Sequence, residues 1–203
     1  MSSAFDDVIS DSEDNDGTIE RESESNDTTR HYDLAEKDDW MTPPEIVDPI
    51  AESVGGIDLD PCAHEQSTHG DVNLRLEDGD DGLEDSWIAK SNTINPVVFV
   101  NPPFSYKKEW LQKAVDEVQN GVETVIFITP DSADTISWWH QYIAEYSSYV
   151  CFCEGRVEYI DDTDDSKDRP PFGTAITVFG KASRDLLSTL DGLGHVVETV
   201  SEI

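Results

Sequence analysis

Apolar and polar positions follow two rhythms along the chain. Short runs rich in β-branched and aromatic residues stand at 97–100 ("VVFV"), 124–130 ("TVIFITP"), 149–155 ("YVCFCEG") and 174–180 ("TAITVFG"). Runs of this length and make-up predict strands buried on both faces. Between them the spacing widens to that of helices. In "WMTPPEIVDPIAESVGG" (40–56), Ile46, Val47, Ile50 and Val54 mark one helical face, with Thr42 as the N-cap and Pro43 at the first helical position. Pro49 predicts a kink, and Gly55-Gly56 an end.

Further helices are predicted over 106–120, stopped by Gly121, and over "DTISWWHQYIAEY" (134–146). "IDLDPCA" (57–63) reads as a short strand halted by a proline, and 72–76 as another. The acidic stretch that follows is turn-rich and leads into a short amphipathic segment ending at Trp87. Residues 156–173 read as a loop with a hairpin arm, and 181–203 carry no decisive pattern. Strands alternating with helices imply a doubly wound, mostly parallel α/β sheet with helices on both faces.

Composition changes this picture at the N-terminus. Residues 1–37 hold too little apolar surface to offset the entropy of ordering, which predicts a disordered acidic tail ahead of one domain over 38–203. The formal charge of the chain is −32, of which residues 1–39 account for −11. Acid spread over the body as well predicts adaptation to a high-salt cytoplasm, where the Debye length falls to about 3 Å at ~1 M salt and self-repulsion is screened. Loss of compact structure on dialysis to low salt, seen by circular dichroism, is the expected consequence.

Neither a secretory h-region nor an apolar run long enough to span a bilayer is present, which predicts an intracellular, cytoplasmic protein with no membrane partner. Cys62, Cys151 and Cys153 are an odd set, and the last two are strand neighbours at i, i+2. They read as packing residues rather than a disulfide. His64 and His69 are five apart, about 140° around a helix, so no zinc site is expected. Trp138, Trp139, Trp40 and Trp87 read as packing groups, with Trp40 close enough to "TP" to border a ligand.

Two strand exits carry the candidate chemistry. Asp60 precedes Pro61, and Asn101 precedes Pro102, Pro103 and Phe104. Successive prolines end a strand stiffly, and open α/β sheets bind ligands beyond the carboxyl ends of their strands. The asparagine carbonyl and a backbone carbonyl can both accept from an exocyclic amino group, and Phe104 can stack on the ring bearing it. Such acceptors draw the nitrogen toward tetrahedral geometry and free its lone pair for attack.

The ordered set "WMTP" (40–43), "DLDPCA" (58–63), "DDGLEDSW" (80–87), "VFVNPPFS" (98–105), "ITPDSADTISWW" (128–139) and "GRVEY...PPFGTAITVF" (155–179) resembles the phage-type Dam DNA N6-adenine methyltransferases over roughly residues 38–180. The resemblance implies a class I, Rossmann-like methyltransferase fold and transfer of a methyl group from S-adenosylmethionine to a flipped-out adenine in double-stranded DNA. It assigns catalysis to Asn101, Pro102, Pro103 and Phe104. Thr42 and Pro43 would line the methionine end of the cofactor pocket, Asp60 and Pro61 would form the first cofactor motif, and Asp81, or a neighbouring acid of 77–81, would contact the adenine moiety.

Few cations are left for phosphate: Lys107, Lys108, Arg156, Lys167 and Arg169. Arg156 is equally suited to pairing with a carboxylate. Departures from the pattern are a glycine-poor "DPCAHEQSTHG" and Phe104 in place of the commoner tyrosine. Two other readings fit the residues: a methyltransferase acting on another planar amine, in protein or RNA, and an inactive acidic module that mimics DNA.

Overall fold

Strand β4 (Val97–Val100) lies between two parallel neighbours, β2 (Leu59–Asp60) and β5 (Thr124–Pro130), in the computed structural model, which describes residues 40–161, 167–168 and 170–200. β3 (Val72–Asn73) extends the parallel set beyond β2. On the other side of β5 the sheet continues through β9 (Thr174–Gly180), β6 (Ser147–Cys153) and β10 (Gly194–Glu198), giving seven strands in the order β10-β6-β9-β5-β4-β2-β3. β9 is antiparallel to both β5 and β6, and β10 is antiparallel to β6. The sheet is therefore mostly parallel by direction, with two reversed strands. The reversal of β9 has a simple cause. Among the described residues no helix lies between β6 and β9, and only a crossover returns the chain in the same direction.

The core divides between the two faces. Val98, Val100, Trp110, Leu111, Phe127, Trp138 and Trp139 pack on one, and Phe99, Ile126, Ile128, Ile176, Val47, Ile50 and Leu186 on the other. The first face is covered by α3 (Lys107–Gln119) and the helical segment 136–146, the second by α1 (Pro44–Val54) packed beside α5 (Arg184–Leu193). No helix of the described residues is long and apolar enough to cross a membrane.

Several local expectations shift. Pro43, not Thr42, is the N-cap of α1, and Pro44 takes the first helical position. A residue before proline is pushed out of the α region, and Pro43 at ψ 148° is held extended by Pro44. The helix runs through Pro49 and closes at Gly55, where φ is +80° and the Gly56 amide donates to Ala51 O at 2.9 Å.

β3 stops at Asn73, and Leu76–Asp78 form a 3₁₀ turn instead of continuing it. Trp87 begins rather than ends its segment, the helix α2 (Trp87–Ser91), which Ser86 caps. Residues Ile136–Ile143 form a π-helix rather than an α-helix, with the His140 amide donating to Thr135 O five residues back. Its wider turn brings adjacent residues closer in angle, so that Trp138 and Trp139 are both buried.

Cys151 and Cys153 lie in the same apolar cluster as free thiols. The undecided region 181–203 contains α5, capped by Ser183, and the edge strand β10. A second, three-stranded sheet joins β1 (Trp40–Met41), β7 (Tyr159–Asp161) and β8 (Lys167–Asp168) in the order β1-β7-β8. The hairpin arm expected over 156–173 is thus formed by β7 and β8. The segment read as an acidic tail, 1–37, lies outside the described residues.

Candidate active site

Parallel pairing of β2, β4 and β5 brings the ends of all three strands to one edge of the sheet. Asp60 and Asn101 leave neighbouring strands there, and the Cys62 sulfur, against the backbone amide of Asn101, joins the two exits. Burial, reinforced by the charge of Asp60, pushes the Cys62 thiol well up, so it stays neutral.

Asp60 is 3% exposed. Its carboxylate accepts from the Cys62 amide and from Ser67 Oγ, each at 3.2 Å. Burial nevertheless outweighs these bonds and the nearby Arg75, and its pKa is pushed up to about 6. A carboxylate held so far from water, with no cation among the described residues directly upon it, is costly in the protein alone. Arg75 is turned to the backbone, donating to the carbonyls of His64 and Ser67 at 3.1 and 2.5 Å, and shapes the loop after Pro61.

Gly82 explains how the acidic segment reaches this exit. A Cβ at that position would stand 1.9 Å from Pro61 O, so the chain passes Pro61 in contact, one residue after Asp81. Among the neighbouring acids, Asp80 is bonded to Lys90, which also holds Asp85 at 3.0 Å. Asp78 lies 3.9 Å from Arg75. Asp81 accepts from the Leu83 amide at 3.0 Å and so caps its own turn. The segment is anchored further on: Trp87 donates through Nε1 to Gly82 O at 2.7 Å and through its amide to buried Glu117 at 3.2 Å. Trp87 is accordingly a packing residue.

Thr42 lies 2% exposed between β1 and α1, and its Oγ1 has no hydrogen-bond partner. An orphaned buried hydroxyl is costly in a finished core, so it marks a position suited to a bound polar group.

At the β4 exit Pro102 is buried, and Pro103 accepts the Tyr106 amide at 2.9 Å, which starts the turn into α3. Asn101 donates through Nδ2 to the main-chain carbonyl of Trp40 at 2.6 Å. Phe104 meets Trp40, Tyr159 and Phe172 edge-on, with ring centroids 6.1, 6.2 and 5.6 Å away, while Trp40 stacks on Tyr159 at 5.7 Å and 22°. The Tyr159 hydroxyl shares a hydrogen bond with Thr174 Oγ1 at 3.0 Å, and burial pushes its pKa up. "NPPF" and "PPFG" therefore meet in one aromatic cluster at the sheet edge.

The chain matches the family model described as DNA N-6-adenine-methyltransferase (Dam) over residues 29–193. It belongs to the Dam family. DNA adenine methylation is the activity of that family, and DNA its substrate. No curated protein matches the chain.

Within this Dam domain Asp60 and Pro61 lie beside the segment that carries Asp81 and next to the β4 exit at Asn101, while Thr42 and Pro43 follow Trp40, whose carbonyl and ring meet Asn101 and Phe104. The candidate phosphate contacts are placed differently from one another. Lys107 Nζ donates to Phe104 O at 2.7 Å and lies 5.5 Å from the Trp138 ring centroid, so it braces the turn that follows Pro103. Lys108 is exposed. Arg156 donates to Pro170 O at 3.5 Å, fastening the arm to its own return. Lys167 contributes backbone to β8, and Arg169 lies outside the described residues.

Three groups that meet Asn101 and Phe104 were not among the candidates read from the sequence: the Trp40 carbonyl, Tyr159 and Phe172. A main-chain carbonyl has no sequence signal. The repeated "PPF" at 102–104 and 170–172 was the one clue to Phe172.

Proposed function

We propose that the protein methylates N6 of an adenine flipped out of double-stranded DNA, using S-adenosylmethionine, on a class I, Rossmann-like sheet. The observation that carries this reading is the pairing of a buried carboxylate, Asp60, with an amide acceptor, Asn101, at adjacent strand exits beside an aromatic cluster. Asn101 Nδ2 is engaged by Trp40, which leaves Oδ1 to accept from an exocyclic amine. Phe104 supplies a face for the base, at a cost of unstacking on the order of a few kcal/mol.

Thr42, Pro43, Asp60, Pro61 and Asp81 would hold the cofactor. The unpartnered Thr42 hydroxyl and the raised Asp60 carboxyl fit a ligand that is both polar and cationic. S-adenosylmethionine supplies a methyl group on a sulfonium sulfur, activated for displacement. Asn101 and the proline-stiffened backbone position the attacking nitrogen, and positioning with fixed dipoles is the protein's main contribution. Lys108, Arg156 and Arg169 remain the candidate phosphate contacts, with Lys107 acting through the turn it braces. The charge of −32 supports an enzyme working in the salt-rich cytoplasm of a cell, encoded by that cell or by a virus infecting it.

Transfer of labelled methyl from S-adenosylmethionine to unmethylated duplex DNA at molar KCl, followed by nucleoside analysis, tests the reading. N6-methyladenine is the expected product. Label in protein or RNA alone would assign another planar amine, and a folded protein that fails to bind the cofactor would leave only the acidic interaction module.

A further inference from the structure

We infer that Trp40 is a positioning residue whose main-chain carbonyl selects the orientation of the Asn101 amide, so that this site requires an amide, rather than a carboxylate, at position 101. The inference deepens the proposed reaction and rests on it for its catalytic consequence. Its structural content stands separately.

Reversing the Asn101 amide would set two carbonyl oxygens 2.6 Å apart, so the Trp40 contact admits only the orientation with Nδ2 inward and Oδ1 outward. That carbonyl is not free to turn. β1 is held by antiparallel pairing with β7, Trp40 opposite Asp161 and Met41 opposite Ile160. The Trp40 indole is pinned on Tyr159 and against Phe104 and Phe172. The arm that carries Tyr159 and Phe172 and the strand exit that carries Asn101 are thus linked through one residue.

An aspartate at 101 would meet the Trp40 carbonyl acceptor to acceptor. Only its protonated form can donate to Trp40 O and still offer the second oxygen to an amine. The folded-state pKa of that aspartate is then raised above its unfolded value, so the folded state binds more protons in the interval between them. Stability falls as pH rises through that window. Among the described residues, Asp60 and Cys62 from the β2 exit, Tyr159 from β7 and Lys107 from α3 are the titratable groups around it. Asp60 ionises within the same range and acts in the same direction.

The test compares Asn101→Asp with Asn101→Ala by denaturant unfolding from pH 4.5 to 8 in molar KCl, in the native background and with Asp60→Asn. The unfolding equilibrium constant of N101D relative to N101A should rise at least tenfold between pH 5 and 7.5, in both backgrounds. Turnover of N101D on DNA should be strongest at the acid end, opposite to the native enzyme. If N101D parallels N101A at every pH, the Trp40 carbonyl does not set the orientation, whatever the native enzyme methylates. A widening gap in a protein that transfers no methyl to DNA would keep the orientation and remove the reaction.

Discussion

Asn101→Ala is expected to lower kcat for DNA methylation by about 10²–10³-fold, the usual effect of deleting one preorganised polar group that acts on the developing charge. The side chain stands at the exit of β4, 2.6 Å from the one partner that orients it, and the backbone beneath it is fixed by two prolines. Removing it deletes an acceptor without disturbing Asp60, whose partners are Cys62 and Ser67. Cofactor affinity should therefore stay within about threefold, which is under 1 kcal/mol. Single-turnover transfer and equilibrium cofactor binding measure the two quantities separately. A variant that kept more than a tenth of native turnover would remove Asn101 from the reaction. Equal losses in both would make it a structural residue of the cofactor pocket.

Asp60 gives the second large effect, with opposite signs in its two readouts. A pKa pushed from 3.8 to about 6 means that the folded protein binds a proton more tightly than the unfolded chain. Folding is then progressively disfavoured as pH rises from about 4, and the full cost is present above 6. At about 1.4 kcal/mol per unit this amounts to about 3 kcal/mol at pH 7. Asp60→Asn removes the charge and keeps an acceptor for the Cys62 amide, while its own amide can donate to Ser67 Oγ. The variant should be more stable than the native protein by about 2–3 kcal/mol at pH 7 and equal to it near pH 4, measured by paired unfolding curves in molar KCl.

Cofactor binding should move the other way. Asp60→Ala and Asp60→Asn are both expected to weaken S-adenosylmethionine at least tenfold, because a cationic ligand is what offsets the buried charge. Native affinity should rise from pH 5 to 7 as Asp60 ionises. Unchanged affinity in the variants would exclude Asp60 from the pocket. A native protein no less stable than D60N at pH 7 would show that the carboxylate is better solvated than its 3% exposure indicates. Stability gained by losing a group that binding needs is the signature of a site arranged for its ligand rather than for the fold.

The legible parts of this molecule share one property: their burial follows from residues close in sequence. The strands at 97–100, 124–130 and 174–180 have the bounds that their apolar runs imply. A polar residue followed by proline at 60–61 and 101–103 marked two strand exits, and the sheet does bring them together. Boundaries failed where a neighbour overrode a local preference, as where Pro44 moved the cap of α1 to Pro43 and where two adjacent tryptophans were buried by a π-helix.

By itself, then, the sequence determined the alternation of strands and helices, the identity of the chemical groups at the sheet edge and, through its ordered motifs, the Dam family. Only the tertiary structure decided that β9 runs antiparallel, that β10 closes the far edge, that Phe172 and Tyr159 join Phe104, and that the carbonyl of Trp40, 61 residues away, orients Asn101. The physical reason is that side-chain periodicity encodes burial, whereas strand direction depends on what lies between strands. Backbone carbonyls are chemically alike at every position, and which of them meets a given amide is settled only by packing.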